Sequence, residues 1–189
     1  MIIPVGVSKR HIHLTKETFK ELFGLDEMEV RNYLKQPGEY ASPLTIDVKW
    51  DNKKLERVRV VGPFRKYNQL EISRSEANYL GIRPPVKKSG DLEGTHPIIL
   101  CFSDKEVYLD QGTAIARRHI HIDSNDALKY DLSDDERVLI YKDGKEICDA
   151  YIGVLDPSFL ELHIDTDEAL LYNLNQDDEI EVKKIVMPT

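Results

Sequence analysis

The chain has 189 residues, 41% of them hydrophobic and 32% charged, with a net charge of −8. That length and balance fit a soluble globular protein of one or two small domains, and the acidity argues against a general binder of nucleic acid or of membrane surfaces. No stretch reads as a signal peptide or a transmembrane helix, and Cys101 and Cys148 form no CxxC and no disulfide framework, so a reducing, cytosolic setting is expected.

The elements follow in chain order. A strand is expected over Ile2 to Val7, then the motif Arg10-His11-Ile12-His13, then Thr15 as the N-cap of a short helix over Lys16 to Leu22. Gly24 to Pro43, with its Pro37-Gly38 turn, reads as an insertion. Two alternating runs, Leu44 to Trp50 and Leu55 to Val61, flank Asp51-Asn52 and predict a β-hairpin. Gly62-Pro63 then marks a turn, which places Arg65 on a loop ahead of Leu70-Glu71-Ile72-Ser73. Ser73 with Glu76 fits a capping box for a helix over Arg74 to Leu80. His96 beside Pro97 reads as a surface histidine in a loop, and Cys101 as a core residue of the apolar run Pro97 to Phe102.

The second half repeats the design. Arg118-His119-Ile120-His121 is followed by Asp123 and a helix over Ser124 to Tyr130. A hairpin is expected from Val138 to Tyr141 and Ile147 to Val154 around Asp143-Gly144, with Cys148 a structural residue on it. Leu162-His163-Ile164-Asp165 then corresponds to Leu70-Glu71-Ile72-Ser73, with Asp165 and Glu168 as the capping box of a helix over Thr166 to Tyr172. His13, Glu71, His121 and His163 each precede an apolar residue and then an N-cap. The later segments lie closer together than the two histidine pairs, which fits the insertion in the first half.

Five of the six histidines fall on this pattern. On a strand, side chains two residues apart share a face, so each His-Ile-His presents two imidazoles side by side. One such pair is a weak signal and is commonly two ordinary polar strand residues. Two pairs at equivalent repeat positions, with Glu71 and His163 as corresponding third donors, point to a two-metal or shared-metal centre. Neither cysteine has an obvious activating base, so a cysteine nucleophile is not expected. Glu17 and Gly24 after His11 and His13 superficially imitate a cupin motif, but the second copy has no matching Glu. A metallo-β-lactamase motif would want a histidine where Ser124 stands.

Several segments resemble one family. Val5 to Leu14, Gly62 to Arg65 with Gln69 to Ser73, Ala116 to His121, and Glu161 to Ala169 are similar, in order, to the signature segments of the propanediol-utilisation-type phosphotransacylases (PduL-like phosphate acyltransferases). Lys9, where asparagine is common, and Ala169-Leu170-Leu171 depart from the family pattern without touching a proposed ligand. The resemblance implies a mainly β fold of two similar antiparallel β-barrels related by internal duplication and capped by short α-helices. The N-terminal strand would join the C-terminal repeat: residues 1–9 with 117–189 form one barrel, and 10–116, with the insertion at about 24–43, the other. It implies reversible conversion of acyl-CoA (acetyl or propanoyl) and phosphate into acyl phosphate and CoA. Two zinc ions are implied, held by His11, His13, Glu71, His119, His121 and His163, with Arg65 holding phosphate. Direct transfer in a ternary complex, a homodimer, and a free cytosolic enzyme without a microcompartment-targeting extension complete the expectation.

Read on its own, Arg65 has the planar fork that phosphate recognition uses, but a surface ion pair accounts for it equally well. The other basic pairs, Lys9-Arg10, Lys87-Lys88 and Arg117-Arg118, read first as solvated charges. The ligand set by itself also permits a zinc hydrolase of thioesters or phosphate esters, or a non-catalytic metal-binding module.

Overall fold

The computed structural model describes residues 1–188, and its four helices each follow the end of a short strand. The chain divides into two compact units: Lys9–Ala116, and Met1–Ser8 together with the chain from Arg117 onward. The first unit contains β2 (His11–His13), α1 (Lys16–Phe23), β3 (Asn32–Tyr33), β4 (Tyr40–Trp50), β5 (Lys53–Gly62), β6 (Gln69–Glu71), α2 (Arg74–Leu80), β7 (Val86–Lys87), β8 (His96–Phe102) and β9 (Lys105–Ala116). The other contains β1 (Ile2–Ser8), β10 (His119–Ile122), α3 (Ser124–Lys129), β11 (Arg137–Lys142), β12 (Lys145–Val154), β13 (Glu161–Asp165), α4 (Thr166–Leu171) and β14 (Glu179–Lys184). None of the helices is long and apolar enough to cross a membrane.

Each unit closes into a ring of strands. In the first the order is β4-β5-β2-β6-β9-β8, with β8 pairing back onto β4. In the second it is β1-β13-β10-β12-β11-β14, closed by β14 on β1. The rings correspond strand for strand: β2 with β10, β4 with β11, β5 with β12, β6 with β13, β8 with β14, and β9 with β1. The barrels are mixed rather than wholly antiparallel. In each, the motif strand runs parallel to the return arm of the hairpin, and one further pair, β6 with β9 or β13 with β1, is also parallel. The cause is connectivity: the motif strand pairs with the second hairpin arm, not the first, so it meets that arm after a crossover.

Alternation fixes what faces inward. Ile12 pairs with Val60 and Leu70, and Ile120 with Ile152 and Leu162; all six are at most 1% exposed and belong to the two apolar cores. Burying each such side chain favours the fold by roughly 1.5–3 kcal/mol. The neighbouring His11, His13 and Glu71, and likewise His119, His121 and His163, therefore project from the other face of the wall.

The N-caps are Thr15, Ser73, Asp123 and Asp165; each is extended, and its side chain accepts from the backbone N–H three residues on. Glu76 and Glu168 complete capping boxes. Those glutamates also explain the arginine of the repeated motif. Arg10 Nη1 donates to Glu76 Oε2 at 2.9 Å, and Arg118 Nη1 to Glu168 Oε2 at 2.5 Å. Arg10 also reaches the carbonyl of Glu56, and Arg118 the carbonyl and carboxylate of Asp149. These two arginines tie the motif strand to the hairpin and to a helix start, and are not free surface charges. We expect Ser73→Ala, which removes a cap without opening the core, to cost about 1 kcal/mol in urea unfolding.

Two stretches have no counterpart in the second repeat. One is the expected insertion, which carries β3 along the edge of β4. The other, residues 81–95, links α2 to β8 where only 172–178 link α4 to β14, and it carries β7 beside β9. His96 is the first residue of β8 rather than a loop residue; its ring meets Trp50 edge-on at 4.9 Å.

Candidate metal centres

In the first unit, His11 lies opposite Glu71 in the β2–β6 ladder and His13 opposite Gln69. The ligand atoms of His11, His13 and Glu71 all lie within 4.8 Å of one another. His11 Nδ1 faces the carbonyl of Lys9 at 2.8 Å, which assigns the proton there and leaves Nε2 toward Glu71 Oε2, 2.6 Å away. Burial by itself would lower the His11 pKa, but the Glu71 carboxylate outweighs it and the pKa is raised. His13 is 4% exposed, and burial, reinforced by the His11 charge, lowers its pKa to about 3. It is therefore a neutral imidazole at ordinary pH, and a main-chain hydrogen bond with Val61 only partly offsets the burial.

The second unit repeats the geometry with a third imidazole in place of the carboxylate. His119 lies opposite His163, and His121 opposite Glu161. His119 Nδ1 faces the carbonyl of Arg117 at 2.7 Å, the counterpart of the Lys9 contact. His119 Nε2 is 3.0 Å from His121 Nε2, which is 3.0 Å from His163 Nδ1. A neutral imidazole has one donor and one acceptor nitrogen, so three ring nitrogens facing one point cannot all be satisfied by one another. A cation among them removes the conflict. The donor set fits zinc in both units: imidazole and carboxylate, three side chains each, and the outer ring nitrogen of the first histidine held by a main-chain carbonyl.

The two trios differ by an exchange of residue types. The first has Glu71 as third member and neutral Gln69 beside it; the second has His163 as third member and the buried carboxylate of Glu161 beside it. Glu161 fits only because Gly6 faces it on β1: a Cβ at Gly6 would lie 2.7 Å from its Oε2.

Arg65 sits on the loop after β5. Its main-chain N–H donates to the carbonyl of Leu14, at the end of the motif strand, at 2.9 Å. Its Nη1 donates to the Tyr67 hydroxyl and its Nη2 to Glu39 Oε1, both at 2.9 Å. Its charge contributes to the lowering of the His13 pKa. The corresponding loop of the second repeat, after Leu155, holds no arginine; there Asp156 accepts from the backbone of Ser124. His96 belongs to neither trio. We expect His96→Ala to retain full metal content, as elemental analysis would register, with only a stability loss from the Trp50 contact.

Reading the sequence alone missed Glu39, Tyr67 and Glu161. Glu39 lies in the insertion, where no periodicity exists to single it out. Glu161 carried a signal, since it stands two residues before His163 as Gln69 stands before Glu71. Cys148 lies where expected, packed against the second core, but Cys101 is only partly buried and is no core residue, because its neighbour Leu100 takes the inward face of β8; burial raises the Cys101 pKa, and that of Cys148 to about 11.

A duplicated two-barrel chain with a potential metal-ligating trio on corresponding strand pairs of its barrels, β2 with β6 and β10 with β13, defines a narrow class of protein. A family profile described as phosphate propanoyltransferase matches residues 4–175. Proteins named phosphate propanoyltransferase are similar over most of the chain. That of Thermotoga maritima is 44% identical over 139 residues, covering 73% of this chain and 66% of the relative. That of Escherichia fergusonii is 40% identical over 144 residues, covering 76% and 69%, and that of Levilactobacillus brevis 44% identical over 128 residues, covering 68% and 61%. The chain thus spans about two thirds of the length of these relatives, and it belongs to the phosphate propanoyltransferase family.

Proposed function

We propose that the protein is a phosphate acyltransferase that interconverts acyl-CoA plus phosphate with acyl phosphate plus CoA, on a short acyl group such as acetyl or propanoyl. The observation that carries this reading is the pair of convergent trios on equivalent strands, in a chain of this family. His11, His13 and Glu71 would hold one zinc ion, and His119, His121 and His163 a second. When bound, zinc stabilises a thiolate and polarises carbonyl oxygen, the two needs of this chemistry.

The chain's own residues do the rest. The carbonyls of Lys9 and Arg117 fix the tautomers of His11 and His119. Arg65 presents N–H donors for a phosphate oxygen. In the forward direction an oxygen of HPO₄²⁻ bonds to the thioester carbonyl carbon and the carbon–sulfur bond breaks. The phosphate proton passes to the departing sulfur, giving acyl phosphate and CoA thiol. The raised pKa values of Cys101 and Cys148 keep both as thiols, which supports direct transfer between the two substrates over an acyl-cysteine intermediate.

The test is CoA release from acetyl- and propanoyl-CoA with and without phosphate, on protein of measured zinc content. Release that requires phosphate, with acyl phosphate formed in equal amount, is the expected result. Equal release without phosphate would make the protein a thioester hydrolase instead.

A further inference from the structure

Arg65 and the insertion are both features of the first repeat alone, and they meet in one ion pair. The turn that ends the insertion is tightly specified. Leu34 N–H donates to the Glu39 carbonyl at 3.0 Å, Glu39 N–H to the Gln36 carbonyl at 3.1 Å, and Gly38 holds φ +81°. Glu39 is the residue just before β4, and its carboxylate takes Arg65 Nη2 at 2.9 Å while Tyr67 takes Nη1. The Glu39 side chain is 30% exposed and that of Arg65 23%. Glu39 also interacts electrostatically with His11 and Glu71, so the pair stands beside the first trio.

A free arginine is a poor anchor for a small anion. Its long side chain carries about 2 kcal/mol of rotamer entropy, and Arg65 leaves a loop rather than a strand. Holding both terminal nitrogens from two sides removes that freedom before the anion arrives. Guanidinium has five N–H donors, so two anchoring bonds leave others for phosphate. Where the second repeat has no arginine, it also has no insertion to hold one.

We infer that Glu39 is a positioning residue: together with Tyr67 it fixes Arg65 in the orientation that receives phosphate, and the insertion is the element that supplies it. This rests on the reading of Arg65 as the phosphate-binding group. The experiment is steady-state kinetics of the zinc-loaded enzyme carrying Glu39→Ala, Glu39→Gln, Arg65→Ala, and Glu39→Ala with Arg65→Ala. Glu39→Ala is expected to raise the phosphate KM roughly tenfold, as a misplaced contact does, and to leave the acyl-CoA KM and zinc content as in wild type. Glu39→Gln keeps an acceptor for Nη2 and should stay within about threefold of wild type. In the Arg65→Ala background, Glu39→Ala should change nothing further. A role confined to holding the insertion would instead disturb both substrates, and would persist without Arg65; that result overturns the proposal. An unchanged or lowered phosphate KM in Glu39→Ala, while Arg65→Ala raises it, overturns the positioning role alone. An unchanged phosphate KM in Arg65→Ala overturns both it and the reading beneath it.

Discussion

Glu71→Ala and His163→Ala should each remove about one equivalent of bound zinc and abolish most acyl transfer, while leaving the barrels folded. The two residues occupy the same place in corresponding ladders, opposite His11 and His119. Each projects from the outer face of a wall whose inner face is Ile12 and Leu70, or Ile120 and Leu162. The substitutions leave those cores intact, so thermal unfolding of metal-free protein should move little. Losing one of three donors is more damaging than losing an outer-sphere partner, which already costs 10–100-fold in metal affinity, so a drop of at least about 10²-fold is expected. The two variants need not fail identically. Glu71→Ala removes the negative charge that raises the His11 pKa, so the remaining pair binds zinc with less charge compensation. His163→Ala removes an imidazole donor and leaves Glu161 in place. Elemental analysis and titration with a chromogenic zinc chelator would measure both. Full zinc content with full activity in either variant would remove that residue from the site.

Arg65→Ala is expected to lower turnover by roughly 10²-fold and to weaken phosphate saturation, with zinc content unchanged. The substitution removes the proposed phosphate fork and also strands Glu39, whose pKa burial already raises and Arg65 holds back. Arg65→Lys keeps the charge, but a single ammonium cannot span Tyr67, Glu39 and an anion in one plane. It should therefore fall between wild type and alanine. Kinetics in both directions, with phosphate and CoA varied separately, separate the effect: phosphate and acyl phosphate should be affected, and CoA should not. Normal phosphate dependence in Arg65→Ala would leave Arg65 and Glu39 as an ordinary ion pair.

What could be read from the residues was local. The four N-caps, both capping boxes and two hairpins follow from short-range rules, Asp-Gly at a turn or an oxygen-bearing side chain before a helix, and the structure has each of them. The third hairpin, β8 with β9, went unread. Its turn at Ser103-Asp104 contains no glycine, and Ser103 takes φ +53° without one. The second added stretch at 81–95 went unread because the repeat comparison ended at the helices. Ring closure itself was not visible in composition or spacing and came from the family resemblance, since β1 meets β13 and β14 only across the whole length of the chain. The trios were legible because strand alternation is strict. The partners of Arg65 and Arg118 were not, because a glutamate dozens of residues away carries no local signature.

The placement of β1 also has a consequence for synthesis. A ribosome releases every strand of the 9–116 barrel in one uninterrupted stretch, so that barrel can close while the rest is still being translated. β1 is made before every other strand described and can pair only after them, because its partners β13 and β14 follow them in the chain. Until then Ile2 to Val7 is an apolar segment with unpaired edges, the kind of strand that recruits other chains. Met1 N lies 3.4 Å from the Val182 carbonyl, so the start of β1 is beside the end of β14. A permuted chain that begins at Lys9 and carries residues 1–8 on a short linker after β14 would make both barrels contiguous. It should reach the same fold with a smaller loss to aggregation during expression.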